Sequence, residues 1–139
     1  MDDLVQFLRD RLGEDEQTAL AAALGRSKFA PWRASETDVY TTEIILAGHA
    51  HRVADTGPTY SGADGYEEDA ARAAHIARHD PARVLREVEA KREIVKQADL
   101  YLCDSGPGCG YRTKHGHNVL RLLALPYSDH PDYRDAWRP

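Results

Sequence analysis

The pair Asp80-Pro81 constrains this chain more than any other feature of its sequence. The proline ring crowds the preceding residue out of the helical region, so a helix must end at or before Asp80. The same pair favours a new helix starting there. Aspartate is a good N-cap, and proline suits the first helical position, where its missing N–H costs nothing. On the near side, Ala70 to Arg78 is a short run of helix formers preceded by Glu67, Glu68 and Asp69, acids that suit a first turn. On the far side, Val84, Leu85, Val88, Ile94, Val95 and Ala98 recur at helical spacing. They predict one long helix from Pro81 to about Ala98 with a broad apolar face.

The flanks are read against this corner. Leu4, Val5, Phe7, Leu8 and Leu12 carry the helical period at the start of the chain. Gly13 is a candidate break and Gly25 a candidate stop, so one long helix or two short ones both fit. Residues 30 to 66 differ in character. Pro31, Gly48, Gly57, Pro58, Gly62 and Gly65 punctuate two β-prone runs, Val39 to Leu46 and His49 to Val53. They predict two or three short antiparallel strands with a turn near Ala47-Gly48. Trp32 opens the first strand or packs beneath the sheet, and residues 55 to 65 form a polar loop. A second loop, Cys103 to Gly116, precedes a leucine-rich helix capped by Asn118 and ended by Pro126. The tail holds Tyr133 and Trp137 and is expected to dock on the body. The expected fold is α+β in a single domain, residues 1–139. A small antiparallel sheet, about residues 31–54, packs on three or four helices, with a Cys/His loop before the last one.

Composition narrows the classes. A chain of 139 residues can bury roughly 70% of its unfolded surface without needing a metal or a disulfide. Its formal charge of −5 excludes a uniformly basic nucleic-acid binder. No run of 18 apolar residues is present to span a membrane. Met1-Asp2-Asp3 lacks the basic start of a secretory signal, so the expected compartment is the cytoplasm. The charge is uneven, however. Between Pro31 and Asp69 the only bases are Arg33 and Arg52, whereas Ala70 to Ala98 holds Arg72, Arg78, Arg83, Arg86, Lys91, Arg92 and Lys96. Weak nucleic-acid contact through Arg72, Arg83, Arg86 and Lys96 is therefore one reading, with a solvated helix face as the simpler one.

Three stretches resemble a known family. His75-Ile-Ala-Arg-His-Asp-Pro-Ala-Arg-Val-Leu-Arg-Glu-Val-Glu-Ala-Lys-Arg92 is similar to the hallmark of small uncharacterised proteins from Streptomyces, related actinobacteria and their phages. The start, Met1 to Arg9, and the end, Val119 to Tyr127 through Asp129 and Tyr133 to Trp137-Arg-Pro139, fit the same family. The resemblance implies a source and a fold; it carries no activity. It also implies a metal site. Family members often have a Cys-x-x-Cys pair after the long helix and a third cysteine two residues before the position of Val119. Here the pair is Cys103 and Cys109, five residues apart, and the third position is His117. With His79 as the fourth ligand, the set would suit structural zinc. His75 is an alternative to His79, and His115 to His117. Reduced thiols and a disulfide closing the small loop stay open beside zinc.

No catalytic constellation stands out. There is no Gly-x-Ser-x-Gly elbow, and Gly106-Pro-Gly-Cys-Gly110 lacks the Lys-Ser/Thr ending of a phosphate loop. The expected function is accordingly a non-enzymatic binding or adaptor module, phage-linked or regulatory, with a structural zinc and a protein partner. The alternative is a small metal-assisted, hydrolase-like enzyme using His75 and His79. In that cluster a histidine beside Asp80 is the raw material of acid–base chemistry. The competing reading is a helix corner in which Asp80 caps and His79 bonds a carbonyl.

Overall fold

The computed structural model describes residues 2–23, 31–44, 50–57, 63–100 and 109–139. The fold is α+β. The elements run α1 (Asp2–Ala22), β1 (Trp32–Ser35), β2 (Asp38–Ile44), β3 (Ala50–Asp55), α2 (Ala63–Arg78), α3 (Pro81–Leu100) and α4 (Cys109–Ala124). Two single-turn 3-10 helices follow, Leu125–Tyr127 and Asp135–Trp137. The chain divides into two compact units, Met1–Glu16 with Glu87–Pro139, and Gln17–Arg86. Among the described residues no helix is long and apolar enough to cross a membrane.

In the Gln17–Arg86 unit, β1, β2 and β3 form an antiparallel sheet in sequence order. Trp32 opens β1 and also packs, partly buried, against a core of Val39, Ala73 and Ala77. The β1–β2 connection is a two-residue turn at Glu36-Thr37, closed by Ser35 opposite Asp38. Glu36 takes φ 56° there. Tight hairpins need positive φ at the first central residue, and asparagine or glycine usually supplies it. The turn was not expected because Glu36 carries no such signal. Between β2 and β3 the partner of Val39 is Ala54, but that of Tyr40 is Arg52. Val53 is therefore the extra residue of a bulge. A bulge turns two neighbouring side chains to one face, and both Val53 and Ala54 pack against the core.

Helix α2 crosses β1 and β2. It begins at Ala63, seven residues ahead of the expected start at Ala70, so the loop after β3 is shorter than the glycines suggested. Asp69, Ala73 and Ala77 are all buried at a spacing of four, so the inner face extends back through Asp69. Thr56 ties this helix to the first hairpin. Its hydroxyl lies 2.8 Å from the Thr37 carbonyl oxygen and 2.7 Å from that of Asp69, and it donates to one at a time. Asp80 behaves as a cap: Oδ1 accepts the Arg83 N–H at 2.6 Å, and Oδ2 accepts the Trp32 N–H at 3.3 Å.

In the other unit, α1 and α3 run antiparallel. Arg92 holds Glu16 with two bonds of 2.9 Å, and Arg9 meets Asp99 at 3.4 Å. Helix α1 passes through Gly13 without a break. The α3 face is narrower than expected: Val88, Val95 and Ala98 are buried, while Ile94 is 41% exposed. Helix α4 differs most from expectation. It begins at Cys109 and so absorbs most of the expected Cys103–Gly116 loop. Gly116, Leu120 and Ala124 form one buried stripe at a spacing of four, and Asn118 is an exposed mid-helix residue, not a cap. The period continues through Gly116 because a residue without a side chain still serves a buried face. The leucines do not make the helix buried all round, since Leu122 is 56% exposed.

Candidate binding groove

Successive tight turns fold the chain after α4 back on α1. The amides of Ser128, His130 and Tyr133 donate to the carbonyls of Leu125, Tyr127 and His130 at 2.9–3.1 Å, and Trp137 donates to Arg134 at 2.8 Å. This places Tyr127, His130, Tyr133 and Trp137 around the Phe7 ring. Their centroids lie 6.3, 5.8, 6.1 and 5.0 Å from it, within the range where edge-to-face rings attract. Phe7 itself is buried.

Polar links hold the tail along α1. Arg134 donates to Asp3 at 2.7 Å, and the Tyr127 hydroxyl donates to Asp15 at 2.6 Å. Burial and that hydrogen bond raise the Tyr127 pKa far above the ordinary phenol value, so it remains a donor. Between these links lies Arg11, only 8% exposed. It stacks over Phe7 at 5.4 Å, donates to Glu14 at 2.7 Å, and lies against the His130 imidazole, 2.8 Å from Nδ1. The Asp132 amide donates to that nitrogen at 3.1 Å. Arg11 Nε and the Tyr133 hydroxyl oxygen are buried and have no partner among the described residues. Leaving a buried donor unpaired costs about 1–3 kcal/mol.

Helix and tail enclose a groove of about 420 Å³. Its floor includes Phe7, Tyr133 and Trp137, and its polar rim Asp3, Gln6, Asp10, Arg11, Asp132 and Arg134. Arg134 lies 5.2 Å over the Trp137 ring while bonded to Asp3. Asp10 accepts a hydrogen bond from Gln6 at 2.7 Å, and Asp132 faces His130 at 3.9 Å. Neither carboxylate pairs with a lysine or arginine among the described residues. No residue of this groove stood out in the sequence as a site. One signal was there: Arg11 interrupts the stripe Leu4, Phe7, Leu8, Leu12 at a core-facing position.

The sequence-derived candidates lie elsewhere. Cys103 falls outside the described residues, as does the Cys109 side chain. Cys109 and His117 are both in α4, eight residues apart, which is about 12 Å of helix rise. Helical ligand pairs for one zinc are usually four apart. His117 also lines a cavity beside the Arg121 guanidinium, where a metal cation would meet a like charge. His79, in the Gln17–Arg86 unit, bonds the His75 carbonyl through Nδ1 at 2.8 Å, and their rings stack at 4.3 Å. Among the described residues no three of His, Cys, Asp or Glu converge to hold an ion. Both Asp80 oxygens accept from backbone amides, and His79 bonds a backbone carbonyl, as the helix-corner reading expects. Of the basic stripe, Arg72 pairs with Glu68 and Asp69, and Lys96 with Glu93.

A family model described as a family of unknown function (DUF6221) matches residues 1–139. No curated protein and no solved structure matches the chain.

Proposed function

We propose that this chain, which belongs to the DUF6221 family of unknown function, is a non-enzymatic binding module that receives a cationic protein segment in the groove between α1 and the tail. The supporting observation is the placing of Arg134. One face of its guanidinium lies on Trp137 and one edge on Asp3, which is the combination of ring face and carboxylate that favours a cation. Asp10 and Asp132 extend the same chemistry along the rim without a lysine or arginine partner among the described residues. A partner presenting alternating basic and apolar side chains would meet both rim and floor, and the chain's charge of −5 would speed encounter.

The test is calorimetric titration of the full chain with an arginine-rich peptide and a glutamate-rich peptide of equal length. The basic peptide is expected to bind and to weaken as salt rises, because exposed charges are screened beyond about 10 Å at 0.1 M salt. Asp10→Asn with Asp132→Asn is expected to weaken it several-fold, since each exposed pair contributes roughly 0.2–1 kcal/mol. Equal binding of the acidic peptide, or no binding at low salt, refutes the proposal.

A further inference from the structure

A second cavity, of about 240 Å³, lies in the same unit and is lined by Leu4, His117, Arg121, Ala136 and Trp137. Leu4, Ala136 and Trp137 give it apolar walls. His117 and Arg121 stand one turn apart on α4, so both project from one side of that helix. Arg121 has no carboxylate partner among the described residues, unlike Arg9, Arg11, Arg52, Arg72, Arg92, Arg134 and Arg138. The His117 side chain likewise makes no hydrogen bond to a described residue, and burial followed by the nearby Arg121 charge lowers its pKa. A guanidinium at the edge of an apolar cavity, next to an imidazole with a free N–H, is complementary to a ligand with a greasy body and an anionic head.

We propose that this cavity binds a small aromatic monocarboxylate, its ring between Leu4, Ala136 and Trp137 and its carboxylate on Arg121 and His117. Size supports a ring with a short acid arm: an apolar cavity of roughly 150 Å³ already accommodates benzene. Head-group chemistry selects the acid, because Arg121 presents a planar fork of donors that matches two carboxylate oxygens. The site is separate from the groove proposed for a protein segment, although Trp137 lines both. Its occupancy therefore stands or falls independently of the peptide titration.

The experiment is a ¹H–¹⁵N NMR titration of the full chain with phenylacetate, phenylacetamide and phenethylamine, read at the indole N–H signals. Phenylacetate is expected to shift the Trp137 signal and leave that of Trp32 in place, with a Kd at or below about 1 mM, the range open to so small a ligand. Phenylacetamide and phenethylamine are expected to bind at least tenfold more weakly. Arg121→Gln should weaken phenylacetate about tenfold or more, and Arg121→Lys less. Ala136→Phe, at an exposed tail residue, should block the cavity while leaving the tail folded, checked by unchanged Tyr127 and Tyr133 signals. The proposal is overturned by any of three results. These are no Trp137 shift at about 10 mM phenylacetate, equal affinity for the amide, or undiminished binding by a folded Arg121→Gln.

Discussion

Replacing Phe7 tests whether the tail is part of the folded body. Phe7→Ala removes a buried ring that four other rings surround at 5.0–6.3 Å. Truncating a buried phenylalanine costs about 3–5 kcal/mol, from lost transfer energy plus the cavity left behind. Ring-on-ring attraction adds roughly 0.5–1.5 kcal/mol per pair beyond area, though pairs that share one ring do not sum. Phe7→Leu separates the two parts. It keeps most of the apolar volume and loses the ring geometry, so about 1–2 kcal/mol is expected. Phe7→Ala should therefore fall at or above 3 kcal/mol and Phe7→Leu well below it.

Urea unfolding followed by near-ultraviolet circular dichroism is the assay, because that signal reports fixed aromatic packing. In the alanine variant the aromatic signal from the tail should also collapse before the far-ultraviolet helix signal, since Tyr127, Tyr133 and Trp137 lose their common neighbour. A cost below about 1 kcal/mol for Phe7→Ala, against the 3–5 kcal/mol of a buried ring, with the aromatic spectrum intact, refutes the reasoning. The ring cluster would then contribute nothing to holding the tail, and the groove would have no fixed wall.

The remaining expectations each have a direct check. Gly13→Ala should raise stability by about 0.5–1 kcal/mol in thermal unfolding, since a methyl group there meets nothing within 4 Å and alanine is the better helix former. The same change at Gly57 should lower stability, because its Cβ would lie 2.8 Å from the Thr37 hydroxyl oxygen. His117 has a folded pKa below its unfolded 6.5, so its stabilising contribution is complete above that value and is lost as pH falls from there to the folded pKa. His117→Gln should accordingly flatten the loss of stability as pH falls below 6.5. Metal analysis of the parent chain beside His117→Gln and His79→Gln tests the expected zinc ligands: loss of a stoichiometric ion in a variant assigns that histidine to the site, and unchanged content removes it. Arg11→Met should leave stability equal or higher, because Glu14, 62% exposed at its side chain, stays solvated without its partner while methionine keeps the apolar stack on Phe7, yet weaken binding of the basic peptide.

What was legible in the sequence was local chemistry. Asp80-Pro81 specified a helix end, a cap and a new helix, and Asp80 makes those bonds at 2.6 and 3.3 Å. The small sheet followed from β-prone runs between Gly and Pro. Its first hairpin did not, because Glu36 adopts positive φ without being Asn or Gly, so the turn is imposed by strand pairing. The start of α4 was hidden for a related reason. Lys114, His115 and Gly116 look like loop residues one by one, and only the placing of Gly116 in line with Leu120 and Ala124 shows the helix. The three stretches quoted for the family resemblance touch both ends and the middle of the chain, and the family match spans residues 1–139. The groove was out of reach because its parts lie far apart in sequence: Arg11 and His130 are separated by 119 residues. Periodicity registers Phe7 as a core position and the tail aromatics as a docking segment, but says nothing of which meets which.

Arg11 is the residue through which structure and the proposed binding meet. Burying a guanidinium is costly unless carboxylates and acceptors surround it, and here one of its nitrogens lacks a partner among the described residues. A core built only for stability would do better with a methionine or leucine at that place, stacked on Phe7 in the same way. What those residues cannot do is place a polar group against the His130 imidazole, whose Nδ1 takes the Asp132 amide. That ring links the buried cation to the turn at Asp132, and Asp132 carries an exposed carboxylate on the groove rim. The cost inside the ring cluster thus sets the direction of a charge at the surface. The same turn leads on to Tyr133 and Trp137, so one buried guanidinium orders both the rim and the floor.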